Sequence, residues 1–150
     1  MGAGRNAKML VSQILKDKGD MVFTASPTDS VAALAALLQA RKVGAMVVLN
    51  EAKDVVGIVS ERDIVRVVAE KGAEGLTLPV ADCMTREVVF AEPQETVDSL
   101  LGRMTDRRIR HLPVLRSGRL VGIISIGDLV KSKIAETVAE AETLKAYISA

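Results

Sequence analysis

The sequence predicts an α+β fold: two β-α-β-β-α repeats, related by a pseudo-twofold axis and packed sheet to sheet, with an extended C-terminal helix. Three observations carry this prediction. First, Val56-Gly-Ile-Val-Ser-Glu-Arg-Asp-Ile-Val65 lies over Val121-Gly-Ile-Ile-Ser-Ile-Gly-Asp-Leu-Val130 at an offset of 65, with six of ten positions identical. Second, upstream the offset becomes 66, pairing Pro27 with Pro93, Val31 with Val97, Leu34 with Leu100, Arg41 with Arg107 and Val48 with Val114. Third, the one-residue change falls in Asn50-Glu-Ala-Lys-Asp54 against Arg116-Ser-Gly-Arg119, where a hairpin loop tolerates an insertion.

The elements follow in order. Residues 1–10 form an N-terminal extension, 11–72 the first repeat, 73–79 a linker, 80–133 the second repeat and 134–150 a helical extension. Each repeat opens on a short strand, Met21 to Thr24 or Glu87 to Ala91. A helix follows with Pro27 or Pro93 at its first position, where the missing N–H costs nothing. Ser26-Pro-Thr-Asp29 resembles a capping box. Val31, Leu34, Leu37 and Leu38, and Val97, Leu100, Leu101 and Met104, recur at helical spacing. Two apolar strands come next, Ala45 to Leu49 with Val55 to Val59, and Leu112 to Leu115 with Leu120 to Ile124. A second helix starts near Ser60 or Ser125; the first copy stops at Gly72, whereas the last runs to about Ser149. A half of about 66 residues would be marginal alone, which favours one globule built from both copies. Lys71-Gly-Ala-Glu-Gly-Leu-Thr-Leu-Pro79, with its glycines and proline, reads as the linker.

Composition narrows the function. The 150 residues are 49% hydrophobic and 26% charged, the balance of an ordinary globular chain. Twenty basic against nineteen acidic residues leave a formal +1, so no overall field gathers nucleic acid or an anionic membrane. Phe23, Phe90 and Tyr147 are the aromatic residues, too few to stack successive bases. A single cysteine, Cys83, rules out an intramolecular disulfide, and with the lone His111 it cannot build a zinc site; reducing cytoplasm is the expected location. The longest apolar run, Val31 to Leu38, falls far short of the roughly 20 residues that cross a bilayer. The start lacks a signal-peptide centre, and Asn6 stands where myristoylation needs Ser or Thr.

The chemistry concentrates at Ser60-Glu-Arg-Asp63 and Ser125-Ile-Gly-Asp128, where a strand delivers Ser-x-x-Asp into the first turn of a helix. One reading is a capping box and nothing more. The other adds that a helix start offers N–H groups and a positive dipole end to phosphate, while a neighbouring acid accepts hydrogen bonds from ribose hydroxyls. Gly57 and Gly122 in the preceding strands suggest close approach by another backbone or a ligand.

These motifs, with Arg-His-Leu-Pro-Val (110–114) and the strand-Pro-helix entries, resemble the tandem cystathionine-β-synthase (CBS) domain pair, or Bateman module, in its stand-alone bacterial form, from about Val11 to Lys133. The resemblance implies a non-catalytic sensor of adenosine-containing molecules: AMP foremost, with ADP, ATP, NAD(H) or S-adenosylmethionine as alternatives. It also implies a homodimer. Each cleft would be composite and crossed. Ser60, Arg62 and Asp63 would face Val88, Val89, Ile109, Arg110 and His111; Ser125 and Asp128 would face Val22, Phe23, Val43, Gly44 and Ala45. The first set collects the cations and is expected to be the phosphate-bearing nucleotide site, since charge-assisted bonds from Arg to phosphate are strong.

Other features have plainer readings. Arg103, Arg107, Arg108, Arg110, Arg116 and Arg119 form a basic stretch read as a solvated face rather than a nucleic-acid surface. His111 lacks the nucleophile or metal that would make it a general base, and Cys83 reads as a packing residue. Ile134, Val138, Ala141 and Ile148 keep an apolar stripe beyond the repeated core, expected to form a dimer contact. The expected function is a regulatory module without catalytic cofactor or metal, acting on an unidentified protein target in trans, with no nucleic acid or membrane partner. The rivals are an enzyme, and a nucleic-acid-binding or structural dimer in which the Ser-x-x-Asp motifs are only caps.

Overall fold

The computed structural model describes residues 8–19 and 22–149. The N-terminal extension up to residue 7 and Met21, at the head of the expected first strand, lie outside the described residues. The chain divides into two compact units. One is Val22–Val89; the other joins the N-terminal helix α1 (Val11–Lys18) to the chain from Phe90 onward. The sequence is expected to divide at 72/73 and 79/80, whereas packing divides the chain after Met21 and after Val89.

In the first unit β1 (Thr24–Ala25) runs parallel to β2 (Ala45–Leu49), and β2 pairs antiparallel with β3 (Val55–Ser60). Helix α2 (Val31–Arg41) lies between β1 and β2 in the chain, and α3 (Glu61–Lys71) follows β3 directly. The core gathers Val31, Leu34 and Leu38 from α2, Met46 and Val48 from β2, Val59 from β3 and Val67 from α3, all buried. The segment expected as a linker is ordered: 3-10 helices cover Gly72–Thr77 and Val80–Asp82. Its backbone is tied to the entry of α2, Val31 N–H donating to Leu78 O at 2.9 Å and Val80 N–H to Asp29 O at 2.7 Å.

The other unit repeats the pattern with α4 (Val97–Arg107), a hairpin of β4 (His111–Arg116) and β5 (Arg119–Ser125), and α5 (Ile126–Ser149). Its core gathers Val97, Leu100, Met104, Leu112, Val114, Ile124 and Leu129, with Val11, Ile14 and Leu15 of α1, all buried. Here α1 takes the place that 78–84 takes in the first unit: Val97 N–H donates to Met9 O at 3.0 Å and Val11 N–H to Glu95 O at 2.9 Å. The repeat extends to irregular features. Lys42 and Arg108, both at φ 55°, cap α2 and α4 in the left-handed region, and both hairpins shift register at equivalent positions, Val48/Leu49 and Val114/Leu115.

Two expectations are corrected. Pro27 and Pro93 do not open the helices; both lie in turns, and the helices begin at Val31 and Val97 behind the N-caps Ser30 and Thr96. The Ser26–Asp29 box is a turn closed by Ser26 N–H to Asp29 Oδ2 at 2.9 Å. The N-caps stay extended because they pair with other segments, Ser30 with Pro79 and Thr96 with Leu10, and an extended residue cannot belong to the helix. Nor does Glu87–Ala91 form a strand: it makes a single parallel bridge, Ala91 to Val114. The next rung would need an N–H from residue 113, which is proline and has none. Its counterpart in the first repeat is Val47, and there Thr24 pairs with it.

Both strand glycines are required by close approach of the chain itself, a side chain and a backbone carbonyl at Gly57 and a side chain at Gly122. A Cβ on Gly57 would stand 2.6 Å from Met84 Sδ and 3.0 Å from Thr85 O, and one on Gly122 would stand 2.4 Å from Leu15 Cδ2. Thr85 O is fixed by pairing with Ile58 N–H at 2.9 Å, whereas Leu15 Cδ2 is the end of a rotatable side chain. Gly57→Ala is therefore expected to cost about 1–3 kcal/mol, the range for overpacking, and Gly122→Ala less. Thermal melts of the two variants check the order; equal losses would show that the Thr85 carbonyl does not decide it.

Candidate functional site

Each Ser-x-x-Asp lies at a strand-to-helix corner. Ser60 ends β3 in an extended conformation (φ −122°, ψ 169°) and caps α3. Its N–H donates to Asp63 Oδ2 at 2.9 Å, and Asp63 N–H returns to Ser60 Oγ at 3.4 Å. Ser125 and Asp128 repeat the exchange at 2.9 and 3.1 Å. Both motifs are therefore working capping boxes, each holding a carboxylate at the positive end of a helix.

The two carboxylates differ in their further partners. Asp63 is 5% exposed, and its Oδ1 faces Arg66 Nη1 at 2.9 Å, one turn along the same helix, and the Thr85 hydroxyl at 3.4 Å. Asp128 meets a cation from a separate element: Lys18 Nζ, at the end of α1, is 2.8 Å from Oδ2 and also donates to Ile123 O at 2.9 Å. Lys18, Arg66 and Thr85 were not singled out from the sequence. Arg66 is signalled by its i,i+3 spacing from Asp63, and the other two only by the glycines, since Thr85 adjoins Met84 over Gly57 and Lys18 lies one turn beyond Leu15 over Gly122.

The expected site residues fall into both units. Val22–Val89 holds Val22, Phe23, Val43, Gly44, Ala45, Ser60, Arg62, Asp63, Val88 and Val89; the other unit holds Ile109, Arg110, His111, Ser125 and Asp128. Within each unit the start of the middle strand meets its own helix start. Glu61 N–H donates to Gly44 O at 3.0 Å and Ala45 pairs with Ser60; Ile126 N–H donates to Arg110 O at 2.8 Å and His111 pairs with Ser125. Phe23 packs on the core with the Arg41 guanidinium 4.6 Å from its ring centroid. Arg62 and Arg110 are exposed.

Among the described residues, no three His, Cys, Asp or Glu side chains gather as a metal ion would require, and no helix is long and apolar enough to cross a membrane. Cys83 is buried, and burial, with the nearby Asp63 charge, pushes its thiol pKa up, away from reactivity. Arg103 belongs to a structural ion pair with Glu95 and donates to Phe90 O at 2.9 Å. A cavity of about 730 Å³ lies apart from the helix starts, between Lys8–Gln13 and the outer part of α5, including Ala139, Leu144 and Tyr147.

A duplicated α+β unit with one capped, acid-bearing helix start per copy defines a paired module rather than a single site. The chain belongs to the CBS domain family, whose model matches residues 14–70 and 80–134, one match per repeat. It is 32% identical over 146 residues to the CBS domain-containing protein CBSX3, mitochondrial, of Arabidopsis thaliana, covering 92% of this chain and 71% of that protein. The crystal structure of the CBS-domain containing protein ATU1752 from Agrobacterium tumefaciens superposes with a TM-score of 0.83 at 43% identity, over 86% of this chain and 96% of that one. The CBS domain pair of protein MJ0100, in complex with 5'-methylthioadenosine and S-adenosyl-L-methionine, aligns with a TM-score of 0.77 at 25% identity, over 86% and 98%.

Two carboxyls are held below their ordinary range. Burial pushes Asp128 up, but the hydrogen bonds from Lys18 and Ser125 outweigh it; at Glu95 the Arg103 hydrogen bond leads and burial opposes. A carboxyl depressed in the folded state contributes stability that is present above its unfolded pKa, about 4, and is lost as pH falls through the folded value. Denaturant stability is therefore expected to be level above about pH 5 and to fall below about pH 4, less steeply in Lys18→Met and Arg103→Met. Unchanged slopes in both variants would contradict these assignments.

Proposed function

We propose that the protein is a non-catalytic regulatory module that binds an adenosine-containing ligand of the AMP, ADP and ATP class at its Ser-x-x-Asp helix starts. The observation that carries this is the duplicated corner, in which a carboxylate stands at the positive end of a helix in each repeat. Ribose hydroxyls suit the carboxylate and phosphate suits the helix start. The adenosyl ligands of the MJ0100 pair support the class. They also favour a second reading, S-adenosylmethionine or a related thioether in place of a nucleotide; NAD(H) belongs to the same chemistry. Arg62 and Arg110, exposed and always charged, argue for a phosphate-bearing ligand.

The crossed assignment gives Asp63 the ribose and Arg62 and Arg110 the phosphate. The bond from Ile126 N–H to Arg110 O ties the Arg110 backbone to the Asp128 helix start and leaves its exposed side chain unassigned. A thermal-shift panel tests the function: ligand at 100 times its Kd adds about 2.7 kcal/mol, and at this size each kcal/mol raises the midpoint by about 2–4 °C. AMP should move the melt by several degrees; no shift with any adenosyl ligand, against salt-dependent binding of DNA or RNA, would favour the rival in which the motifs are only caps. Calorimetry then tests the assignment. Asp63→Asn, which keeps a capping acceptor, and Arg110→Ala should each weaken AMP binding more than Asp128→Asn does, and should be non-additive with each other. Equal losses from the two aspartate variants, or coupling of Arg110 to Asp128 instead, would overturn it.

A homodimer, a cytoplasmic location and a protein target acted on in trans complete the proposal. The dimer is supported by the exposed apolar side chains of α5: Val130, Ile134, Val138, Leu144, Tyr147 and Ile148. Light scattering at micromolar concentration should give twice the chain mass, and Ile134→Glu with Val138→Glu should return a monomer. A wild-type monomer would remove this part of the proposal.

A further inference from the structure

The cations on the two helix-start carboxylates differ in origin. Asp63 receives Arg66 from its own helix, a contact that needs no other element. Asp128 receives Lys18 from α1, more than a hundred residues away in the chain. Both Lys18 Nζ and Ser125 N–H converge on Asp128 Oδ2, and Lys18 is held in addition by the Ile123 carbonyl of β5. A vicinal diol bonds a carboxylate best across both oxygens, so an ammonium seated on one of them competes with ribose for the acceptor.

We propose that Lys18 is a latch on the Asp128 helix start: the ribose of an incoming adenosyl ligand must displace its ammonium from the carboxylate, and the displacement frees the end of α1. This rests on the adenosyl-binding reading and adds to it a regulatory contact and a reporter. The position of Lys18 suits the role. It is the last residue of α1, its side chain is 39% exposed, and Gly19 follows at φ 91°. The hold of α1 on its unit lies upstream, in Val11 and Ser12 N–H to Glu95 and Pro93 carbonyls at 2.9 and 2.8 Å and in Leu15 against Gly122. Lys18 can therefore leave while that packing stays. A direct ligand contact by Lys18 is the less economical arrangement, because reaching for phosphate would cost it both present acceptors.

The test uses the full chain, with AMP as the probe and S-adenosylmethionine as a second probe. Titration calorimetry compares wild type, Lys18→Met, Lys18→Arg, and Lys18→Met combined with Asp128→Asn. At the Asp128 helix start, the weaker AMP site of a two-site isotherm, Lys18→Met should tighten binding about fivefold, the upper end of what a half-exposed ion pair contributes. Lys18→Arg should stay near wild type, and Asp128→Asn should abolish the gain. Amide exchange gives a second readout: saturating AMP should speed exchange across residues 16–19 in wild type, whereas in Lys18→Met exchange there should already be fast and unaffected by AMP. If wild type binds AMP and Lys18→Met binds it equally or more weakly, the latch falls and the adenosyl reading stands. A gain that survives Asp128→Asn also overturns the latch. If neither probe binds any of the four proteins, both fall together.

Discussion

The structure turns on one corner made twice: a strand ends on a serine whose N–H and hydroxyl are exchanged with an aspartate three residues on. That exchange fixes where the helix begins, and so aims the helix back across its sheet. It also keeps the serine extended, which lets it remain in register with the middle strand, Ala45 opposite Ser60 and His111 opposite Ser125. The first helical N–H is then taken by the residue before that strand, Gly44 or Arg110. Cap, strand pairing and helix direction are thus one constraint, and it places a carboxylate at the positive end of each helix.

The behaviour of the glycine inside each strand follows from the same geometry. A strand that feeds straight into a helix leaves little room between sheet and the segment lying over it, and Gly57 and Gly122 open that room for Met84 and Leu15. The sequence shows the glycines and their need for close approach, but not what approaches, because Met84 and Leu15 lie outside the aligned motif. Most of the order of elements is legible because helical and alternating spacing survives in both copies, Val31-Leu34-Leu38 against Val97-Leu100-Met104. The helix starts at Val31 and Val97 are not. Proline marks a bend equally well in a turn or a first helical turn, and what decides between them is the pairing of Ser30 and Thr96 with distant segments.

Departures from the repeat are as informative as the repeat itself. Pro113 replaces Val47, and the loss of one N–H reduces an entry strand to a bridge at Ala91. The acid partners diverge in the same way: Asp63 is enclosed by groups near it in the chain, Arg66 and Thr85, while Asp128 depends on the tip of a helix of its own unit that comes from the far end of the chain. The candidate site was legible in its acids and its caps, which are local in sequence. The cation on Asp128 was not, because Lys18 reaches it only through the packing of α1.

This division of labour bears on how such a module would respond. A ligand shifts a conformational equilibrium only by its differential affinity for the two states, so binding at a site whose partners never change would carry no signal. Asp63, closed by its own helix and by the loop at Thr85, offers few contacts that occupancy could exchange. Asp128 offers one, since its partner sits at the terminus of a helix anchored elsewhere along its length. Duplication supplies two copies of the capped corner, and their divergence leaves the Asp128 copy with a cation brought by a separate helix, the contact that the proposed latch uses.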